Sequence, residues 1–230
     1  MSLGAAEWAI VGLSLKVAVI GVLASLPFGI LAAYALARWR FWGRELLNLL
    51  VHLPLVLPPV VTGYLLLVLF GTSGPLGRFF EATLGLGFAF RWTGAALAAA
   101  IMAFPLMVRA IRLALEAVDP KFEEAASTLG ASRLRVFLTI TLPLMAPGIL
   151  AGVILAFAKA LGEFGATITF VSNIPGQTQT LPTAIYAALQ VPGREGVALS
   201  LIMISVVLAA GALIASEWLA RAMRKRMEGS

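Results

Sequence analysis

Residues 119–147 read DPKFEEAASTLGASRLRVFLTITLPLMAP, a charged, turn-forming opening that leads into one of the apolar runs of a chain otherwise poor in charge. Asp119 can cap a helix whose first position is Pro120, Glu123 and Glu124 suit the positive end of its dipole, and Gly130 is the residue type usual just past a helix end. The spacing predicts one short helix over 120–129. At 1.5 Å per residue it is about 15 Å long, half the roughly 30 Å of hydrocarbon in a bilayer, so it cannot cross. Phe122, Ala125, Ala126 and Leu129 fall at i, i+3, i+4 and i+7 and gather one small apolar face on an otherwise polar element.

Two placements suit such a face. It can lie on lipid headgroups or on the chain's own spans, or it can dock in the groove of a cytoplasmic partner. The alanines at 125 and 126 keep it shallow, which favours insertion into a groove over lipid anchoring, where Trp, Phe and Leu serve better.

The flanking chain is far more apolar. Of 230 residues, 60% are hydrophobic and 12% charged, and the mean hydropathy is +0.97, against about 45–50% and about 25% in soluble domains. This is the composition of an all-α integral membrane protein. Five runs are long enough to cross as helices, near 9–37, 46–70, 93–115, 136–161 and 197–220, and one membrane domain is expected over 1–230. The first run lacks the basic start and short apolar core of a cleaved signal peptide and reads as a retained span, with Lys16 snorkelling or facing protein.

Lys and Arg divide unevenly between the connections. Arg38, Arg40 and Arg44 follow span one; Arg109, Arg112, Lys121, Arg133 and Arg135 lie between spans three and four; Arg221, Arg224, Lys225 and Arg226 follow span five. The opposite connections hold Arg78, Arg91 and Arg194. The positive-inside rule therefore puts the N-terminus outside, the C-terminus in the cytoplasm and residues 119–147 on the cytoplasmic side. Topology accounts for the net charge of +6 and the pI of about 10.3, so they call for no nucleic-acid partner.

Several chemistries lack the residues to run. With no cysteine and one histidine, His52, disulfides and thiolate metal sites are ruled out and little remains for a histidine-based one. No GxxxxGK[ST] loop, GxSxG elbow, HExxH pair or carboxylate pair within a span occurs. The chain is expected to be no enzyme, to bind no metal or cofactor, and to draw any ATP energy from another polypeptide. An ion-driven carrier, a distant second class, needs inverted repeats and ionisable groups at the membrane centre; no convincing repeat is found, and only Lys16, Lys159 and Glu163 lie in or near spans.

Within the opening stretch, Glu124-Ala125-Ala126, three residues, Gly130, nine residues, Ile140, one residue and Leu142-Pro143 follow the spacing of the EAA signature, and on it the chain resembles the permease subunits of ABC importers. Residues 51–68 (VHLPLVLPPVVTGYLLLV), 104–131 (FPLMVRAIRLALEAVDPKFEEAASTLGA) and 161–176 (LGEFGATITFVSNIPG) look like the permeases of bacterial molybdate importers in particular. The resemblance covers nearly the whole chain. It implies a type I importer fold of about five transmembrane helices in the bacterial inner membrane. The short helix becomes a coupling helix, with Phe122, Glu123, Glu124, Ala125, Ala126, Leu129 and Gly130 docking to an ATPase subunit and Ile140, Leu142 and Pro143 acting as the lever behind it. It also implies a second permease copy, two cytoplasmic ATPase subunits that hold ATP and Mg, and an external oxyanion-binding protein. Sulfate and tungstate are the alternative cargoes. Some family members carry an additional N-terminal span; this chain begins at the five-span core.

A translocation path is expected near the outer end of span four. Glu163 is an ionisable group at the end of an apolar run, suited either to the path or to pairing with Lys or Arg and backbone N–H groups. Thr167, Thr169, Ser172 and Asn173 offer neutral donors that can pass an anion without trapping it, or else bond their own helix carbonyls. Pro58 and Pro59 kink span two, for gating or for shape, and His52 is expected to bond a carbonyl the prolines free. Residues 183–190 (TAIYAALQ) are too short to span and read as an outer-surface helix or a re-entrant piece; together with 71–92 they are expected to meet the binding protein. The small residues of 93–103 and 208–216 suit close packing inside the bundle or at a dimer seam.

Overall fold

A computed structural model describes residues 4–228, and every element among the described residues is helical. The first helix, α1 (Ala5–Arg38), runs through Pro27 without ending and stops where the Arg44 guanidinium takes the Leu36 carbonyl, at 3.1 Å from Nε and 2.8 Å from Nη2. Lys16 lies 3.8 Å from the centroid of the Trp92 ring, a cation over an aromatic face within the protein.

The second expected span is two helices. α2 (Arg44–Val56) and α3 (Pro59–Phe70) meet at Leu57–Pro58 with a bend of 116°. Their 13 and 12 residues reach only about 20 Å and 18 Å, so neither crosses alone. The bend is the kink expected within 46–70, sharpened to a break between two helices, and its cause is chemical: Pro58 and Pro59 are consecutive, and two adjacent residues without an N–H leave the ladder no bond to carry across the turn. His52 Nδ1 lies 2.8 Å from the Asn48 carbonyl oxygen, one turn back. A Pro54 N–H would have met the carbonyl of Leu50 instead, so His52 does not serve the position that proline frees.

After α4 (Pro75–Leu84), a short helix concealed in the sequence by the turn residues of 71–92, comes α5 (Trp92–Glu116). This is the central element. Its alanines, from Ala95 to Ala103, are packed within the chain, and α1 and the later helix α8 (Leu142–Leu161) close on it. The approach is tight: a Cβ on Gly21 of α1 would stand 2.7 Å from the Ala96 carbonyl oxygen. Lipid supplies no hydrophobic drive between helices, so such close backbone contact has to come from small side chains. The small residues Ala209, Ala210, Gly211 and Ala215 stay exposed on this chain.

Then follow α6 (Pro120–Thr128) and a continuous rod, Arg133–Leu161, made of α7 (Arg133–Val136), a widened π-helical turn (Phe137–Thr141) and α8 (Leu142–Leu161). Two short helices, α9 (Gly165–Val171) and α10 (Leu181–Leu189), precede the long α11 (Glu195–Glu228). Of α11, Glu195–Ala215 is the portion apolar enough to cross. The side chains of Arg221, Arg224, Lys225 and Arg226 lie outside the described residues. Among the described residues four helices are long and apolar enough to span, or five if the bent pair counts as one span. Large apolar side chains such as Phe28, Leu31, Val206 and Val207 point outward from them, as lipid-facing positions should.

Candidate functional site

At the end of the bundle that carries α6, the site begins with how that helix is built. The Asp119 carboxylate accepts the Lys121 N–H at 3.0 Å, and Pro120 occupies the first helical position. The far end closes with Gly130 at φ 84, the Ala131 N–H bonded to the Ala126 carbonyl (3.1 Å) and the Gly130 N–H to that of Ser127 (3.0 Å), a Schellman motif. A helix of nine residues is too short to persist on propensity alone, so both caps are needed to hold its shape. No residue of α6 is buried; Phe122 is 57% exposed and Leu129 89%. Exposed apolar groups this large on a helix that turns away from the spans form a surface without a cover in the single chain.

Glu123 differs from its neighbours. It turns toward the spans, where its Oε1 accepts the Thr141 hydroxyl at 2.8 Å and lies 3.5 Å from Arg38 Nη2. The same Arg38 nitrogen donates to the Leu115 and Val118 carbonyls at the end of α5, at 3.3 Å and 3.0 Å. Glu124 remains exposed. The seven residues assigned to docking therefore divide, with Glu123 held against the bundle and Phe122, Glu124 and Leu129 facing away.

Behind α6 lies the π-helical turn, and the sequence explains it. Pro143 has no N–H for the Thr139 carbonyl, and the helix ahead of it widens, with the Leu142 N–H reaching the Phe137 carbonyl five residues back. The widening sets Thr141 inward at 1% exposure, while Ile140 and Leu142 are half-buried and Pro143 is exposed. Tyr34 of α1 packs edge-on against Phe137 at 5.4 Å. Arg38 and Thr141 escaped sequence reasoning: the first was counted only as a topology charge, and the second is the unspecified position of the motif. Two hydroxyls, Thr139 and Thr141, in the otherwise apolar run 136–150 were the available signal.

At the other break, Pro59 opens α3 and Gly165 opens α9, and the two helices lie almost backbone to backbone. A Cβ on Gly165 would stand 2.6 Å from Pro59 Cβ, and one on Gly63 would stand 2.6 Å from the Ala166 carbonyl oxygen and 2.8 Å from Thr169 Cβ. Glu163, 3% exposed, lies in the link between α8 and α9. Its Oε2 pairs with Lys159 Nζ at 2.8 Å and its Oε1 accepts the Ala166 N–H at 3.0 Å. Both oxygens thus fasten the start of α9 to the end of α8. The Thr169 hydroxyl donates to the Gly165 carbonyl (2.9 Å), Thr167 is buried, and Ser172, at φ 64, is exposed where α9 ends. The structure brings Pro59, Glu163 and Thr169 around one junction with Pro58 at its edge, while Thr167 lies in the core and Ser172 on the surface.

Two polar atoms that the sequence did not single out as a pair, Thr62 Oγ1 and Asn173 Oδ1, are buried without a hydrogen-bond partner.

Residues 25–225 match the family model described as the binding-protein-dependent transport system inner membrane component. The chain is 61% identical over 220 residues to the molybdenum transport system permease protein ModB of Escherichia coli (strain K12), covering 96% of each. It is 40% identical over 190 residues to the sulfate transport system permease protein CysT of Salmonella typhimurium (strain LT2), covering 81% of this chain and 66% of that one. In fold it is similar to a chain in the crystal structure of a bacterial ABC transporter involved in the import of alginate, with TM-score 0.74 and 18% identity over 96% of this chain and 80% of that one.

Proposed function

The chain belongs to the inner membrane components of binding-protein-dependent transport systems, and on that premise we propose that it is the membrane-spanning permease of an ATP-driven importer carrying molybdate into the cell. The observation that carries the cargo is the 61% identity with ModB across 96% of both chains. A sulfate importer is the second reading, favoured by the 40% identity with CysT. We take the functional unit to be two copies of this chain, two cytoplasmic ATPase subunits that supply the ATP and Mg chemistry, and an external oxyanion-binding protein. The N-terminus is outside and the C-terminus in the cytoplasm, from the placement of Lys and Arg.

Transport then follows alternating access. Phe122, Glu124, Ala125, Ala126, Leu129 and Gly130 present α6 to a groove of the ATPase; the exposure of Phe122 and Leu129 supports this assignment. ATP binding closes the ATPase pair and draws the two α6 helices together. Ile140, Leu142 and Pro143, in and beside the π turn, lie where that displacement enters the rod leading to α8. A rod of 29 residues carries it about 40 Å, enough to reach the junction of α3 with α9 at the far end. The binding protein delivers its anion to the opened cavity, and hydrolysis returns the inward-facing state. Around Glu163, Pro58 and Pro59 the path presents no unpaired acidic oxygen, since Lys159 and the Ala166 N–H occupy both oxygens of the carboxylate, and a dianion is spared that repulsion.

The test is uptake of labelled molybdate into proteoliposomes that hold this chain, its neighbouring ATPase and the binding protein, with tungstate or sulfate in excess. The expected result is ATP-dependent uptake that resists sulfate and yields to tungstate. Uptake blocked by sulfate moves the assignment to the sulfate class, and uptake without the ATPase overturns the importer reading.

A further inference from the structure

The motif that defines the docking helix begins at Glu124, yet the residue before it makes the interactions that join α6 to the rest of the chain. One oxygen, Glu123 Oε1, meets the Thr141 hydroxyl at 2.8 Å and Arg38 Nη2 at 3.5 Å. Arg38 is the last residue of α1, and through Nη2 it also holds the Leu115 and Val118 carbonyls at the end of α5. Thr141 is the last residue of the π turn and is 1% exposed. A single carboxylate therefore ties the docking helix to α1, to α5 and to the base of α8.

The other contacts of α6 are weaker in kind. Phe122 and Leu129 are exposed, Asp119 bonds only within its own cap, and the Ser127 and Thr128 hydroxyls donate to carbonyls of α6 itself. Without Glu123, no side-chain hydrogen bond or ion pair found among the described residues links α6 to a span. The carboxylate, at 21% exposure, and the guanidinium, at 19%, are shielded enough from water for the pair to exceed a surface ion pair in strength.

We propose that Glu123 is a positioning residue for coupled transport: through Arg38 and Thr141 it makes α6 move as one body with the ends of α1, α5 and α8, so that a shift imposed by the ATPase enters the spans instead of being absorbed at the loops on either side of α6. This rests on the importer reading above. It assigns Glu123 a part that differs from docking, and the two parts have different signatures. A docking residue, once lost, lowers hydrolysis and uptake together by weakening assembly. A positioning residue, once lost, leaves the complex assembled and hydrolysing while less anion moves per ATP.

The experiment measures ATP hydrolysis and labelled molybdate uptake in parallel on the reconstituted full complex. Parent chain, Glu123→Gln, Thr141→Val, Arg38→Gln and the pair Glu123→Gln with Thr141→Val are compared at equal ATPase content after co-purification. The expected result is a fall in anions moved per ATP on the order of tenfold for Glu123→Gln, within the usual range of coupling between sites, with hydrolysis retained. Thr141→Val, which keeps the volume and removes only the hydroxyl, should fall in the same direction, and the double variant should fall below Glu123→Gln alone, because the amide oxygen can still accept the Thr141 hydroxyl while the ion pair with Arg38 is lost. An unchanged ratio in Glu123→Gln overturns the proposal, and so does a proportional loss of hydrolysis and uptake, which would return Glu123 to the docking surface. The parent complex tests the other reading separately: if it moves sulfate in place of molybdate, the cargo assignment fails while the ratio, measured with sulfate, still decides the role of Glu123.

Discussion

The Ser14 hydroxyl accepts the Leu181 backbone N–H at 2.7 Å while donating to the Ile10 carbonyl at 2.9 Å, and both residues are buried. Leu181 is the first residue of α10, so its N–H is among those that a helix start leaves without an internal partner. The remaining start of α10 is self-contained, with the Thr183 hydroxyl accepting the Thr180 N–H at 2.9 Å and donating to the Thr180 carbonyl at 3.0 Å. Ser14→Ala strands one buried donor and should cost about 1–2 kcal/mol. A fall in the thermal midpoint of the detergent-solubilised chain checks this, with Thr83→Ala, at an exposed position of α4, as the comparison.

Gly63→Ala should damage the junction of α3 with α9 severely. The new methyl would stand 2.6 Å from the Ala166 carbonyl oxygen, and backbone on both sides leaves nothing flexible to yield. Gly12→Ala, in α1 with open space around the added carbon, should be neutral or slightly stabilising. Thermal unfolding followed by size-exclusion chromatography separates the two. Equal midpoints would contradict the packing described.

Lys159→Met removes the cation that faces a buried carboxylate and leaves Glu163 Oε2 without its partner. The expected loss is about 2–3 kcal/mol, below the usual figure for a fully buried pair because Lys159 is 32% exposed. Adding Glu163→Gln should recover most of that loss, since the amide oxygen can still accept the Ala166 N–H without a charge to bury. A denaturation series on both single variants and the double variant reads the coupling.

Leu129→Asp puts a charge on the most exposed large apolar side chain of α6 and should lower co-purification of the ATPase about tenfold or more, in line with the loss of an interface anchor. Gly130→Val acts differently. The space around Gly130 is open, but φ 84 is a conformation that a β-branched residue resists, so the Schellman end should unwind and coupled uptake fail while the permease still assembles. Normal uptake by Gly130→Val would refute the role given to that turn.

Much of this architecture could be read from local chemistry. Asp119, Pro120 and Gly130 predict α6 to within a residue, because caps act on neighbours in sequence. The four long spans follow from apolar length in the same way. What escaped depends on contacts between distant parts of the chain. The apolar run 46–70 looks continuous because hydropathy does not register the angle that Pro58 and Pro59 introduce. Helix α9 was hidden among glycine, threonine and proline, and it is held by Pro59, Gly63 and Glu163 more than by propensity. Nothing in a linear pattern ties Arg38 to Glu123 or Glu123 to Thr141.

The bend between α2 and α3 also bears on how the protein is made. During synthesis residues 46–70 meet the insertion machinery as an uninterrupted apolar segment, long enough to be accepted as an ordinary span. The helix against which α3 finally packs, α9, emerges only after α5 and α8 have been made. Insertion and final packing are therefore separate events: the prolines set the break at once, but α3 lacks its main partner until α9 arrives. An order of assembly is thereby written into the chain: α1, α5 and α8 are made before the broken segment meets its partner, and α11 after.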